Sequence, residues 1–182
     1  TYFTLTRGFK AGGFNARARN DGELEPFDPE TVLTWELGLK SQWFGKRLRA
    51  NAAVFYNDYD DIQVVVVQAD PITGQIFNRV ENAGKARTSG FEVEVLARIA
   101  GALDLSAGVG YTDAQYTSVE AGAEFSTSSK FVQTPEWTWN AGAQYTQSLG
   151  GGGQLLLRAD YAYRTEYFND AQNSLRIREP GY

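Results

Sequence analysis

Glu92 and Glu94 are the nearest thing to a catalytic pair in this sequence. Two apart on an extended strand, they point the same way about 6.8 Å from each other, a spacing that could suggest a glycosidase. The run Asn57-Asp58-Tyr59-Asp60-Asp61 offers the oxygen ligands calcium takes. It lacks the glycine and the distal glutamate of an EF-hand loop. Gly150 to Gly153 is glycine-rich but has no Lys-Ser/Thr to complete a phosphate loop. There is no His, no Cys and no Met, so no thiolate, no imidazole base and no nitrogen or sulfur ligand for zinc or copper. A net charge of -5, from 17 basic and 22 acidic residues, leaves no basic footprint for nucleic acid. The expectation is therefore no enzyme, no cofactor and no metal site, with the charges belonging to a solvated wall.

That wall follows from a two-residue rhythm. In Gly90 to Ile99, Phe91, Val93, Val95, Ala97 and Ile99 alternate with Glu92, Glu94, Leu96 and Arg98. A strand sends alternate side chains to opposite faces, so this is one oily face and one charged face. Six further segments alternate in the same way: Tyr2 to Lys10, Thr31 to Trp43, a stretch from Leu48 through Tyr56, a stretch from Leu103 through Tyr111, Trp137 to Thr146, and Gln154 to Arg164. Polar, Gly- and Pro-bearing connections at 11–30, 69–87 and 118–135 are long loops; Phe44 to Arg47, Ala100 to Ala102 and Gly150 to Gly153 are tight turns. Val64 to Val67, the longest apolar run, prolongs the third segment into a hairpin arm covered by its neighbours.

Long and short links alternate. Antiparallel neighbours joined so have every long loop at one end and every tight turn at the other, the plan of outer-membrane barrels. About ten residues per segment suits a tilted strand crossing a bilayer, and no run of about 18 apolar residues offers a helix instead. The aromatics add a second pattern. Trp35, Tyr56, Tyr111, Trp137, Tyr161 and Tyr163 fall toward the long-loop end of their oily faces; Trp43, Phe44 and Tyr145 fall near the tight turns. Two bands of such rings are expected where an oily belt meets headgroups. The candidate lumen-facing residues are then Glu36, Lys40, Arg49, Glu92, Glu94, Arg98, Asp104, Arg158 and Asp160. A soluble antiparallel sheet or sandwich, an adhesion module, would show the same alternation with its oily face on a core. A passive porin-like barrel also fits.

Several stretches, in order, resemble the barrel of TonB-dependent outer-membrane receptors: Arg7 to Asn15, Trp35 to Ser41, Ala53 to Gln63, Asn82-Ala83-Gly84-Lys85-Ala86 leading into Gly90 to Glu94, Pro135-Glu136-Trp137 and Pro180-Gly181-Tyr182. The resemblance implies an all-β, antiparallel, up-and-down transmembrane β-barrel wall. This chain would supply about 7–8 strands of a 22-stranded barrel occluded by a plug. Residues 1–182 would be an interior part of the C-terminal barrel domain, without the plug domain, signal peptide or terminal strand. It also implies a Gram-negative outer-membrane location and partners in outer-membrane lipid, in the TonB complex through the missing N-terminal part, and in a scarce ligand. A ferric siderophore is the first expectation, cobalamin or a carbohydrate the alternatives. The three long loops are the expected ligand-facing segments.

Overall fold

The computed structural model describes residues 1–15, 24, 26–69, 74, 76–120, 123 and 125–182. Its strands, in chain order, are β1 (Tyr2–Lys10), β2 (Gly13–Phe14), β3 (Pro26–Phe27), β4 (Glu30–Trp43), β5 (Leu48–Asp60), β6 (Gln63–Ala69), β7 (Ile76–Asn82), β8 (Gly84–Ile99), β9 (Leu103–Val119), β10 (Trp137–Ser148) and β11 (Gln154–Arg164). Seven of them make one sheet in the order β1-β4-β5-β8-β9-β10-β11, every pair antiparallel. Sheet order follows chain order, so the wall is an up-and-down meander. The pairs β2-β3 and β6-β7 are small hairpins inserted between wall strands.

The tight turns obey local chemistry. Ala100 (φ 51°) and Gly101 (φ 73°) both take positive φ, the twist that joins two strands most compactly. Phe44, Gly45 and Lys46 do the same between β4 and β5. Leu149 N–H bonds the Gly153 carbonyl at 2.8 Å across the glycine turn. All three turns lie at one end, and the long connections lie at the other.

The expected loop at 69–87 needs correction. Ile76–Asn82 is a strand, paired with β6 from Gln63↔Asn82 to Ala69↔Ile76, and β8 already begins at Gly84. The polarity of this stretch did not mean irregular backbone: its amides pair along the β6-β7 ladder all the same. Between β5 and the arm the chain kinks at Asp61 (φ 55°), and Ile62 bonds both Ala83 and Gly84. Gly84 is required there, since its φ is 106° and a Cβ would meet the Ser118 carbonyl oxygen at 2.5 Å.

Hydrophobic burial is concentrated at the long-loop end. Ile62, Val64, Val66, Ala83, Ala86, Tyr116, Phe125 and Ala171 form one cluster. Val64 and Val66 of the arm point into it while Val65 is exposed. Among the described residues no second layer covers either face of the seven-stranded sheet; the main contacts of its strands run between sheet neighbours. The oily face of a sandwich would be covered. Here Leu37, Val54 and Leu157 are each more than half exposed.

Candidate functional site

Directly paired residues on neighbouring strands share a face, so the register decides what lies together. One rung reads Leu39, Ala52, Val93, Val109, Trp139 and Tyr163; the rung next to it on the opposite face reads Lys40, Asn51, Glu94, Gly108, Asn140 and Ala162. Carried through the ladder, all nine candidate wall charges fall on one face, and the eight named Trp and Tyr residues fall on the other.

The oily face has two aromatic edges a fixed distance apart. Trp35 and Trp43 are eight residues apart on β4, and Trp137 and Tyr145 are eight apart on β10. Eight residues span about 27 Å along a strand. The upper edge descends across the sheet. On the oily face of β4, β5, β8, β9, β10 and β11 the topmost ring is Trp35, Tyr56, Phe91, Tyr111, Trp137 and Tyr163 in turn. Through the register, Tyr163 lies level with Leu39, four residues below Trp35, after five strand steps. That is about 14 Å over about 24 Å, a strand tilt of about 30°, near the tilt a closed barrel needs. Tilted so, the band is about 24 Å tall, matching the apolar belt of outer-membrane barrels. The rings touch: Trp35 and Tyr56 centroids are 5.6 Å apart, Tyr111 and Trp137 4.7 Å, Trp139 and Tyr161 5.0 Å, Trp139 and Tyr163 5.3 Å. Phe91 packs on Tyr111 and Trp137, each at 5.9 Å. Phe91 and Trp139 thus belong to the upper band, which the sequence reading placed on the oily face only.

The polar face is ordered by level. Nearest the tight turns, Arg98 forks onto Asp104 at 2.6 and 3.1 Å, directly opposite in register, and Arg158 forks onto Asp160 at 2.7 and 2.8 Å. Arg49 lies in the same shallow groove. Nearer the middle, Asn51 donates to Glu94 at 3.1 Å, and Tyr2 donates to Glu36 at 2.6 Å with the Lys40 ammonium 5.4 Å from its ring. Large side chains here lie over glycines directly opposite. The Tyr2 ring covers Gly38, Phe55 covers Gly90 and Asn140 covers Gly108. Glycine leaves these rings and amides room to lie flat against the sheet.

Neither the carboxylate pair nor the calcium-like run is drawn together into a site among the described residues. Glu92 and Glu94 stand exposed among other wall charges. In the run from Asn57 to Asp61 side chains alternate faces: Asn57 donates to Thr88 at 2.7 Å and Asp60 pairs with Lys85 at 2.8 Å. Among the described residues no group of three or more acids converges on a cation. Lys85 stands above the apolar band, and its hydrogen bond to Asp60 raises its pKa.

The long-loop end holds residues that sequence reading missed. The Asn82 amide accepts from Asp28 N–H at 2.7 Å and donates to Asp28 C=O at 3.0 Å, with a further bond to Asp61 C=O at 2.8 Å. Gln63 donates to the carbonyls of Ala11 and Asp28, both at 3.0 Å, and its own N–H bonds Glu30 at 2.8 Å. Tyr116 stacks on Phe131 at 4.4 Å and touches Phe125 at 4.9 Å; above the apolar band, burial pushes its phenol up to about 12. Much of the three expected ligand-facing loops (16–23, 25, 70–73, 75, 121, 122 and 124) lies outside the described residues.

The whole chain, residues 1–182, matches the family model described as TonB dependent receptor-like, beta-barrel. The chain belongs to that family. It is 31% identical over 111 residues to a probable TonB-dependent siderophore receptor, PiuA, of Acinetobacter baumannii, covering 60% of this chain and 14% of that protein. It is 34% identical over 84 residues to the ferric-pyoverdine M114 receptor PbuA of a Pseudomonas species, covering 46% of this chain and 10% of that one. Among solved structures, the ferric yersiniabactin uptake receptor FyuA of Yersinia pestis superposes with a TM-score of 0.78 at 20% identity, over 99% of this chain and 25% of that chain. At that identity the likeness is one of fold. This chain therefore spans a small part of its relatives' length. The TonB-dependent family consists of outer-membrane receptor barrels, not enzymes, and the antiparallel wall described above is a part of such a barrel.

Proposed function

We propose that this chain is a stretch of the wall of an outer-membrane transporter that takes up a ferric siderophore. The oily face meets acyl chains, and the face carrying Glu36, Lys40, Arg49, Glu92, Glu94, Arg98, Asp104, Arg158 and Asp160 lines the lumen. The observation that carries the membrane reading is the pair of aromatic edges eight residues apart, stepping down the ladder with strand tilt. A soluble adhesion sheet has no cause to keep that separation. Residues 1–182 read as an interior part of the C-terminal barrel domain. The plug and the TonB-contacting segment lie elsewhere in the protein, and TonB supplies the energy for passage. A ferric siderophore is favoured over cobalamin or a carbohydrate because the two curated relatives named above bear siderophore-receptor names.

Uptake of radioiron presented as ferric siderophores to iron-starved cells tests this. Deleting the gene abolishes uptake of one of them, and deleting tonB does the same. Unchanged uptake of every siderophore offered, with loss of growth on cobalamin or on a sugar, would overturn the ligand assignment. Uptake that survives tonB deletion would overturn the energised mechanism and favour a passive pore.

A further inference from the structure

Three asparagines at the long-loop end make the same contact. Asn82 grips Asp28 through both its backbone polar groups, as described above. Asn15 accepts from Val80 N–H at 2.7 Å and donates to Val80 C=O at 3.2 Å. Asn173 accepts from Lys130 N–H at 2.6 Å and donates to Lys130 C=O at 3.0 Å. In each, one side-chain amide pairs with both backbone groups of a single residue, as a neighbouring strand would. The partners are 54, 65 and 43 residues apart in sequence.

The clasps fall into two groups. Asn15 and Asn82 tie the connection after β1 to the β6-β7 arm. Asn173 ties the connection after β9 to the segment after β11, beside a parallel bridge from Val132 to Phe168. The apolar cluster joins the two groups: Val64 and Val66 come from the arm, Tyr116 from β9, Phe125 from the next connection and Ala171 from the last segment. Neither a clasp nor a cluster of this size would hold four connections alone. Each supplies what the other lacks, direction in one case and desolvation in the other.

We propose that Asn15, Asn82 and Asn173 are positioning residues that, with the Tyr116 cluster, hold the long connections as one preformed tier. Ligand then meets a single built surface whose loops loosen together, not four loops that order separately. This rests on the reading of these connections as ligand-facing.

Hydrogen exchange of the full-length receptor in detergent micelles, with no ligand added, tests the tier at the amides of Asp28, Val80 and Lys130. Asn82→Ala speeds exchange at Asp28 about five- to tenfold, the loss of about one hydrogen bond's protection. Asn82→Leu keeps about the size but loses both the acceptor for Asp28 N–H and the donor to its carbonyl, so it behaves like alanine, an effect that loosened packing alone would not produce. Tyr116→Ala, or the milder Phe125→Leu if that variant assembles poorly, speeds all three amides together. Unchanged exchange at Asp28 in Asn82→Ala would overturn the clasp. Acceleration confined to Lys130 in the cluster variants would overturn the single tier. Because no ligand is present, the uptake reading could fail while these results stand.

Discussion

Trp35 and Trp43 sit on the same face of β4, eight residues apart, and Trp137 and Tyr145 repeat that separation on β10. The strands between them, β5, β8 and β9, carry small or aliphatic residues midway down the band: Ala52, Val95 and Ala107 each lie four residues below the upper ring of their strand. A band bounded in this way has a definite middle, and the middle is where a charge costs most.

Val95→Arg places a guanidinium at that level, and a destabilisation of about 2–4 kcal/mol is expected. Glu94→Arg, one residue away, points to the other face and folds as well as wild type. Equilibrium unfolding of the full-length receptor in lipid vesicles checks both. Equal tolerance of the two changes contradicts the assigned facing.

Gly84→Ala strains a backbone with φ of 106° and drives a methyl against the Ser118 carbonyl. A loss of about 1–3 kcal/mol is expected, confined to the arm and its neighbours. Limited proteolysis of the β6-β7 arm should accelerate while the barrel band on a gel keeps its heat-modifiable mobility. An arm that resists protease as well as wild type would show that the positive φ of Gly84 is not needed.

Gly38→Leu fills the space that the Tyr2 ring occupies. The ring must lift, breaking its bond to Glu36, and overpacking of about 1–3 kcal/mol follows. Tyr2→Ala in the Gly38→Leu background recovers most of that loss, because it removes the competitor for the space. A double variant no better than the single one would contradict the stacked arrangement.

Asp104→Ala leaves Arg98 without its partner, yet both groups are well exposed. Exposed ion pairs contribute little, so unfolding should be unchanged within error. If the change nevertheless alters uptake, the pair acts on the lumen's charge and not on the wall's stability.

Much of this was legible in the sequence, because alternation along a strand is a local property. Phe91 to Ile99 states its two faces in its own residues, and the ladder from β5 to β9 only confirms which strands share them. The bounds of β1 and β11, and the start of β10, follow for the same reason. The arm strand Ile76–Asn82 was missed because its sequence alternates without an oily face to mark it. The clasps were missed for a deeper reason. Asn15, Asn82 and Asn173 act on Val80, Asp28 and Lys130 through backbone groups, which every residue carries, so nothing in the partner's identity signals the contact. Gly-Gly-Phe-Asn and Asn-Ala-Gly stood out as family-like stretches, and their role in joining loops appears only when the chain is folded. The levels of the wall charges were hidden similarly: Arg98 and Asp104 meet because Ala100 and Gly101 turn the chain between them.

The facing of β8 is the claim everything else depends on, and the absence of cysteine from this chain makes it directly measurable. Spin labels are placed singly at Glu92→Cys, Val93→Cys, Glu94→Cys and Val95→Cys in the receptor reconstituted in lipid, and their collision rates with oxygen and with a water-soluble relaxant are compared. Positions 93 and 95 should favour oxygen, which concentrates among acyl chains, and 92 and 94 should not, giving a period of two. Collision rates without that alternation, or with its phase reversed, would contradict the account.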